Sequence, residues 1–319
     1  MPDRPNAISW NILITDGLHD SAITILEKSA SVQNRPDIAG DDLMRALPET
    51  DAIIVRGRTK VTADVLAAAP KVKVVGRAGV GVDNIDLKAA QARNVVVVNA
   101  PQSTTLAVAE HTMALLLSMA RQVPLADAGL RRGEWLKKKL EGFELSGKTL
   151  GIIGMGRIGA AVASRAAAFG MTCLGYDPLI AAADIASRGA KPETLDTLLS
   201  KADILTLHVP LNADTRGLIN ADRLQKMKKG AYIVCTARGN IIDEAALLAA
   251  LDSGQIGGAA LDVFAVEPVV DSPLVKHPKA VCTPHVAAQT LEAQERAARD
   301  IAEEILTVLR GETPRWRVA

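Results

Sequence analysis

Short apolar runs that alternate with longer amphipathic stretches constrain the fold of this chain more than any other feature. The runs are rich in β-branched residues and too short for helices, so each predicts a buried strand. In the first third of the chain the predicted strands are Asn11–Ile14, Ala52–Val55, Val72–Val75 and Val95–Val98. The stretches with helical spacing between them are Ser21–Ser29, Asp41–Ala46 and Ala63–Ala68. Strands and helices in alternation predict a parallel sheet covered by helices.

A second series of the same kind follows a long predicted helix at Thr104–Arg121. Its predicted strands are Thr149–Ile153, Thr172–Tyr176, Ile204–Leu207, Ala231–Val234, Ala259–Leu261 and Val281–Thr283. Two such series predict an α/β chain with two doubly wound parallel-sheet domains. The last amphipathic segment, Leu291–Arg310, predicts a final helix that could pack back on the first domain.

The composition bounds the partners to expect. The chain has 319 residues, of which 48% are hydrophobic, enough for more than one buried core. A net charge of +1 gives no electrostatic basis for binding nucleic acid or a membrane surface. The N-terminus is polar, and no run of about 18 uncharged apolar residues predicts a membrane span. Cys173, Cys235 and Cys282 form neither a CxxC pair nor a zinc-ligand pattern, so we expect a cytoplasmic protein without a metal site.

A glycine-rich motif, Gly154-Met-Gly156-Arg-Ile-Gly159, follows a predicted strand and opens an alanine-rich helix. In that context the three glycines permit a tight turn, backbone approach to a pyrophosphate, and close packing of helix and strand. The helix N-terminus offers N–H groups to phosphates. Asp177, 18 positions after the last glycine, would accept hydrogen bonds from a ribose and repel a 2′-phosphate. The motif predicts an NAD site in a Rossmann-like domain; a packing turn without a ligand is the alternative.

Three charged side chains follow predicted strands: Arg238, Glu267 and His285. Ligands of open α/β sheets bind outside the carboxyl ends of strands, so these side chains could converge on one ligand. Reduction of a 2-keto acid needs a proton donor that titrates near neutrality, a carboxylate that orients it, and an arginine for the substrate carboxylate. Ordinary surface charges are the alternative for the arginine and glutamate, and a strand-ending turn for the histidine. The other histidines are expected to be structural or solvated, with His208 as the best exception: His19, His111, His208 and His277.

A set of longer motifs runs in order through nearly the whole chain. They are Val55–Thr62, Gly76–Asp86, Val108–His111, Gly147–Gly159, Tyr176–Pro178, Ala237–Glu244, Ala259–Phe264, Glu267–Pro268 and Thr283–His285. Together they resemble the D-isomer-specific 2-hydroxyacid dehydrogenase family, most closely its D-3-phosphoglycerate dehydrogenases. The resemblance implies two Rossmann-like domains with a cleft between them. Residues 1–100 with 290–319 would form a flavodoxin-like substrate-binding domain, and residues 101–289 would form the NAD-binding domain.

The resemblance also implies an activity and a site. The activity is NAD-dependent oxidation of D-3-phosphoglycerate to 3-phosphohydroxypyruvate in serine biosynthesis, with hydride transfer in the cleft. The implied catalytic residues are Arg238, Glu267 and His285. The implied cofactor-binding residues are Gly154, Gly156, Arg157, Ile158, Gly159, Asp177, His208, Pro210, Thr215, Thr236, Ala237 and Asp262, the last of which would hold the nicotinamide carboxamide. The implied substrate-binding residues are Arg56, Gly57, Arg77, Val80, Gly81, Thr104 and Lys137.

Several positions depart from the pattern of the phosphoglycerate enzymes. Gly57 replaces a serine, Ser103-Thr104 replaces Gly-Asn, Cys235 replaces an asparagine, and Ala287-Ala-Gln289 replaces Gly-Ala-Ser. These changes leave another 2-hydroxy acid as an alternative substrate, such as glyoxylate or hydroxypyruvate in the reductive direction, or D-lactate. Lys137 would bind phosphate, in its own subunit or in a neighbouring one, or belong to a solvated face with Lys138 and Lys139.

The resemblance further implies a homodimer through the nucleotide-binding domains. The long helix Thr104–Arg121 and an exposed Trp135 are compatible with that interface. Because the chain ends soon after Gly311, we expect a short form without a C-terminal regulatory domain and without serine feedback through one. An NAD-sensing corepressor-like protein is the alternative from a different functional class, and a redox switch is the alternative to a buried structural thiol at Cys235.

Overall fold

The computed structural model describes residues 10–319, and these fall into two units. Unit 1 contains residues 10–104 together with Gln289–Ala319, and unit 2 contains Thr105–Ala288. Each unit is built on a parallel sheet with helices packed against it, which confirms the predicted α/β class with two Rossmann-like parallel-sheet domains. No helix within residues 10–319 is long and apolar enough to cross a membrane.

Unit 1 has a five-stranded sheet. Its strands are β1 (Trp10–Ile14), β2 (Ala30–Asn34), β3 (Ala52–Val55), β4 (Val74–Arg77) and β5 (Val96–Asn99). The helices between them are α1 (Asp20–Leu26), α2 (Gly40–Ala46), α3 (Ala63–Ala67) and α4 (Leu87–Ala92). The strand order is β2-β1-β3-β4-β5, with every pair parallel. Buried valines, isoleucines and leucines fill both faces of this sheet.

Unit 2 has a seven-stranded sheet. Its strands are β6 (Thr149–Ile153), β7 (Thr172–Tyr176), β8 (Lys191–Pro192), β9 (Ile204–Leu207), β10 (Ala231–Cys235), β11 (Ile256–Leu261) and β12 (Ala280–Cys282). Its helices are α5 (Thr105–Ala120), α6 (Val123–Arg131), α7 (Arg157–Ala168), α8 (Ala182–Ser187), α9 (Leu195–Lys201), α10 (Ala221–Lys226), α11 (Glu244–Asp252) and α12 (Pro273–Lys276). The order β12-β11-β10-β9-β6-β7-β8 is parallel throughout, so the carboxyl ends of all strands meet at one edge.

The chain then returns to unit 1 in α13 (Leu291–Leu309). The helix packs on α1 and on the sheet of unit 1, and its buried face includes Ile301 and Ile305. A side chain at Gly76 in β4 would lie 2.8 Å from Ile301 Cγ1, so this glycine lets α13 approach the sheet closely. Thr290 caps the helix through a hydrogen bond from the N–H of Ala293.

Several elements differ from the sequence prediction. The predicted helix Ser21–Ser29 ends at Leu26, and β2 follows as an edge strand whose polar, largely exposed sequence carries no apolar signal. β4 begins at Val74, two residues later than predicted, because Val72 is buried in the preceding turn. α6 was not predicted from the sequence, and its Pro124 near the first turn suits a helix start.

Candidate active site and cofactor site

The glycine-rich loop lies at the carboxyl end of β6, where the sheet order changes direction. Gly154 adopts φ +94°, and a Cβ there would lie 2.5 Å from the carbonyl oxygen of His208. A Cβ on Gly159 would lie 2.0 Å from the carbonyl oxygen of Gly154, so a side chain at either position has no room. Gly156 faces open space and precedes α7, whose first N–H groups need acceptors from outside the helix. This cradle fits a pyrophosphate.

Asp177 follows β7 and is tied to the same loop. Its Oδ2 accepts a hydrogen bond from the N–H of Met155 at 2.9 Å, and its Oδ1 accepts one from the N–H of Leu179 at 3.0 Å. A carboxylate can accept about four hydrogen bonds, so each oxygen keeps an acceptor position for a ribose hydroxyl. The residues present therefore fit the adenosine half of NAD.

His208 lies next to this loop, after β9. Its N–H donates to the carbonyl of Ile153 at 2.8 Å, and its Nε2 lies 3.0 Å from Thr206 Oγ1. Its Nδ1 is buried and has no hydrogen-bond partner among residues 10–319. Burial lowers the pKa of His208 to about 3, so the ring is neutral near neutral pH. A ligand that hydrogen-bonded Nδ1 would remove the cost of this unpaired atom.

The remaining predicted cofactor residues are spread over the same edge of the sheet. Thr215 closes the turn that follows β9, because its Oγ1 donates to the carbonyl of Pro210 at 2.6 Å. Thr236 is buried at the end of β10, where its Oγ1 lies 2.9 Å from Thr112 Oγ1 of α5. Ala237 is also buried. Arg157 is exposed and Ile158 partly buried at the start of α7.

Glu267 and His285 form a hydrogen-bonded pair beyond the carboxyl ends of β11 and β12. Nδ1 of His285 donates to Oε2 of Glu267 at 2.7 Å, and Oε1 of Glu267 accepts the N–H of Phe264 at 2.9 Å. Burial raises the pKa of Glu267, but these hydrogen bonds and the nearby His285 lower it by more, so the net shift is downward. The glutamate is therefore an acceptor carboxylate, and Nε2 of the histidine is left for a ligand.

The backbone of His285 has an uncommon conformation that the surrounding residues hold in place. Its φ is +53°, in the left-handed region that side chains other than glycine rarely adopt. Its N–H donates to the main-chain oxygens of Asp262 at 2.8 Å and Thr283 at 3.1 Å. The imidazole is presented on a loop whose geometry depends on contacts with β11.

The carboxylate of Asp262 organises that loop. It is fully buried and accepts hydrogen bonds from Thr283 Oγ1 at 2.6 Å and from the N–H groups of Val286 and Ala287 at 2.9 Å each. Nε2 of His111, on α5, lies 3.4 Å from it. A structural role for His111 agrees with the expectation for that histidine, but this link to the His285 loop was not visible in the sequence. The predicted contact of Asp262 with nicotinamide stays a prediction.

Arg238 lies in the loop that follows β10. Because β10 is the neighbour of β11 in the sheet, Arg238 lies on the same edge of the sheet as Glu267 and His285. Its Nη1 donates to the carbonyl of Ala237 at 2.7 Å. Cys235 at the end of β10 is 2% exposed, and burial raises the pKa of its thiol to about 11. The thiol is thus protonated near neutral pH, which favours a structural cysteine over a redox switch.

The predicted substrate residues of unit 1 surround the ends of β3 and β4. Arg56 follows β3, and its Nη2 donates to Oε1 of Gln289 at 3.2 Å. A side chain at Gly79 would lie 1.3 Å from Nη1 of Arg77, so this glycine makes room for the guanidinium. The N–H groups of Val80 and Gly81 have no acceptor among residues 10–319, which suits an anion site.

Asp16 is a functional candidate that the sequence analysis missed. Its Oδ2 accepts the N–H groups of Arg56 at 2.8 Å and Thr59 at 3.1 Å, and Thr59 Oγ1 donates to Oδ1. Burial raises the pKa of Asp16, but these bonds and the nearby Arg58 lower it by more. The carboxylate fixes the loop that carries Arg56 and Gly57. No sequence pattern indicated this role, because Asp16 and Arg56 are 40 positions apart in the sequence.

The positions that depart from the phosphoglycerate pattern differ in exposure. Thr104 is buried at 5% exposure, whereas Gly57 is exposed and has open space where a side chain would be. Lys137 lies on the exposed surface of unit 2, close in sequence to Trp135, which is 81% exposed. The structure therefore places Lys137 within unit 2 while the other predicted substrate residues belong to unit 1.

A dinucleotide cradle with an acid–base pair on the same edge of the sheet is typical of oxidoreductases that use a nucleotide cofactor. Comparison with known proteins shows to which family of these enzymes the chain belongs. Residues 113–287 match the model of the "D-isomer specific 2-hydroxyacid dehydrogenase, NAD binding domain". The chain therefore belongs to the D-isomer-specific 2-hydroxyacid dehydrogenase family, and unit 2 contains its NAD-binding domain. The predicted family and cofactor are confirmed.

Individual relatives support this placement. The chain is 49% identical to D-3-phosphoglycerate dehydrogenase of Methanocaldococcus jannaschii over 302 residues, which is 94% of this chain and 58% of that protein. It thus spans somewhat over half the length of the curated relative. The TT0316 protein from Thermus thermophilus has 36% identity and a TM-score of 0.87, with 97% of this chain and 100% of that chain covered. D-lactate dehydrogenase from Aquifex aeolicus, complexed with NAD and lactic acid, has 28% identity and a TM-score of 0.82, with coverage of 95% and 96%.

Proposed function

We propose that this chain catalyses the NAD-dependent oxidation of D-3-phosphoglycerate to 3-phosphohydroxypyruvate, a reaction that feeds serine biosynthesis. The observation that carries the proposal is the hydrogen-bonded pair of His285 and Glu267, with Nδ1 2.7 Å from Oε2, in a family NAD-binding domain. The relatives named as D-3-phosphoglycerate dehydrogenases support the choice of substrate.

The residues of unit 2 can move the proton that this reaction requires. Bound NAD would supply the acceptor for the hydride that leaves C2 of the substrate. Nε2 of His285 takes the proton of the C2 hydroxyl, while Nδ1 keeps its hydrogen bond to Glu267. The carboxylate stabilises the imidazolium that forms and fixes the ring orientation. In the reverse direction the imidazolium returns the proton to the carbonyl oxygen.

The guanidinium of Arg238 binds the substrate carboxylate through two parallel hydrogen bonds and polarises the C2–O bond. Within unit 1, the N–H groups of Val80 and Gly81 and the cationic side chains of Arg56 and Arg77 suit the anionic groups of a substrate. Asp16 acts through the loop that it holds and is a positioning residue.

An unphosphorylated 2-hydroxy acid is the second candidate substrate, and two observations favour it. Thr104 is 5% exposed, which leaves little of its side chain for a ligand, and Gly57 offers no hydroxyl to a phosphate.

For the quaternary state, we propose a homodimer through unit 2, supported by the exposed Val123, Leu130 and Trp135 on and after α6. Free cysteines at 173, 235 and 282 support a cytoplasmic location.

The test is a spectrophotometric assay of NADH with purified protein. D-3-phosphoglycerate, D-lactate, D-glycerate and D-2-hydroxyglutarate are compared with NAD, and hydroxypyruvate and glyoxylate are compared with NADH. Selective turnover of D-3-phosphoglycerate, lost in His285→Gln and retained in His277→Gln, is the expected result. Higher kcat/KM for an unphosphorylated acid would assign the second substrate class, and turnover of none would reject the enzyme.

A further inference from the structure

Arg188 is held beside the glycine-rich loop by packing that its own helix provides. It caps the C-terminus of α8, where its N–H donates to the carbonyls of Asp184 and Ile185 at 3.1 Å each. Ile185 is buried, and a Cβ on Gly175 of β7 would lie 2.7 Å from Ile185 Cγ2 and 3.0 Å from Met155 Cγ. α8 therefore sits over Gly175 and Met155, and the next residues lead Arg188 to the loop.

Arg188 and Asp177 bind the two polar groups of the same residue. Nη1 of Arg188 donates to the carbonyl of Met155 at 2.6 Å, and Oδ2 of Asp177 accepts the N–H of Met155 at 2.9 Å. The N and O atoms of one residue lie at most about 3.6 Å apart, so Nη1 of Arg188 and Oδ2 of Asp177 lie about 9 Å apart or less. A positive group thus lies near the carboxylate that would accept hydrogen bonds from the adenosine ribose.

The guanidinium is only partly committed within the described chain. The contact with Met155 is its one side-chain hydrogen bond, and it forms no ion pair with a carboxylate among residues 10–319. An arginine has five N–H donors, so four remain for solvent or a ligand. None of its nitrogens is a buried atom without a partner, which leaves them accessible to a ligand group. A half-buried cation with spare donors beside a ribose site suits a phosphate on that ribose.

We propose that Arg188 is a cofactor-specificity residue that gives this chain measurable affinity for NADP by attracting the 2′-phosphate that Asp177 repels. A phosphate monoester carries about −1.5 to −2 charges near neutral pH, so a nearby cation acts on NADP strongly and on NAD weakly. NAD remains the preferred cofactor because it has a free 2′-hydroxyl that can donate to Asp177, whereas NADP carries a phosphate at that position. The proposal rests on the cofactor site of unit 2 and not on which hydroxy acid is oxidised.

The competing role is a structural one, in which Arg188 only holds the loop through Met155. The two roles separate by ligand. Loss of the loop contact weakens NADH and NADPH by the same factor, because both share the pyrophosphate. Loss of the charge weakens NADPH alone. Arg188→Gln removes the charge and leaves a shorter side chain with an N–H donor, and Arg188→Lys keeps the charge.

The experiment is isothermal titration calorimetry of the full chain with NADH, NADPH, AMP and adenosine 2′,5′-bisphosphate. These direct affinities do not depend on turnover. Arg223→Gln is the matched control, since Arg223 on α10 also donates to a main-chain carbonyl, that of Leu218 at 2.6 Å, but α10 packs against α9 and α11. The same variants are made in an Asp177→Ser background, which removes the repulsion and raises NADPH affinity, so that the effect of Arg188 is measured over a wider range.

The expected result is that Arg188→Gln weakens NADPH and adenosine 2′,5′-bisphosphate by about five- to twentyfold while NADH and AMP change by less than about twofold. Arg188→Lys and Arg223→Gln keep both affinities. Equal weakening of NADH and NADPH, or no change in either background, overturns the proposal. Failure of the unmodified chain to bind NADH would instead reject the cofactor site itself.

Discussion

Replacing Asp262 by asparagine removes one charge from the fully buried carboxylate that holds the His285 loop. The amide keeps one oxygen, which can still accept hydrogen bonds from Thr283 and Val286. Its NH₂ group replaces the oxygen that accepts the N–H of Ala287 at 2.9 Å, so this N–H loses its acceptor. An unsatisfied buried N–H costs about 1–3 kcal/mol, and each bond to a charged acceptor that becomes neutral weakens as well. We expect a loss of about 2–4 kcal/mol in the free energy of unfolding. For a domain of this size that lowers Tm by about 5–15 °C.

The same substitution should remove a pH dependence of stability. Burial raises the pKa of Asp262, but hydrogen bonds from His111, Thr283 and the two N–H groups lower it by more than burial raises it. The folded pKa therefore lies below the ordinary value. A group with a lowered folded pKa stabilises the fold above its unfolded pKa, about 3.9, and that stability is lost as pH falls through the folded pKa. The difference between the unmodified chain and Asp262→Asn is thus full at neutral pH and shrinks below about pH 4.

The assay is urea unfolding of the purified chain at several pH values, followed by circular dichroism, with kcat measured on the same preparations. Asp243→Asn is the control, because Asp243 is an exposed helix cap that accepts a single N–H, from Ala246 at 3.0 Å. We expect Asp262→Asn to lose far more stability and kcat than this control. Equal losses in the two variants, or a deficit of Asp262→Asn that does not depend on pH, would refute the reasoning.

Three further predictions concern single contacts. Glu267→Gln should lower kcat/KM by about ten- to a hundredfold, and pH–rate profiles of the variant will check it. Solvent limits the effect, because the Glu267 and His285 side chains are 35% and 45% exposed. Gly159→Ala should abolish NADH binding in calorimetry or destabilise the fold, since its Cβ would lie 2.0 Å from the Gly154 oxygen; unchanged affinity and Tm would count against the loop geometry. Asp16→Asn should raise KM for substrate several-fold with little change in NADH affinity, whereas equal effects on both would argue for general destabilisation.

The strands of the fold were most predictable where both faces of the strand are buried. β6, β7 and β9 match their predicted bounds because a central parallel strand is an apolar run from end to end. The edge strand β2 was missed since its exposed, polar residues leave no such run. Val72 misled the prediction of β4, because a buried apolar side chain in a turn looks like the start of a strand.

The cofactor loop could be predicted because its parts lie close together in sequence and each glycine answers a local requirement. The contacts that hold the site residues in place could not be predicted from the sequence. Asp16 reaches Arg56 across 40 positions, and His111 meets Thr283 across 172. Such contacts depend on which strands become neighbours in the sheet. Arg188 likewise carries no motif, and only its hydrogen bond to Met155 reveals its proximity to Asp177.

The measurement that tests the central claim most directly is transfer of deuterium from substrate to cofactor. The purified chain is incubated with NAD and D-3-phosphoglycerate deuterated at C2, and the NADH formed is analysed by NMR. The account predicts deuterium at C4 of the nicotinamide ring, none from the L isomer, and loss of labelled product in His285→Gln. NADH that carries no deuterium, or no NADH from any D-2-hydroxy acid, would contradict it.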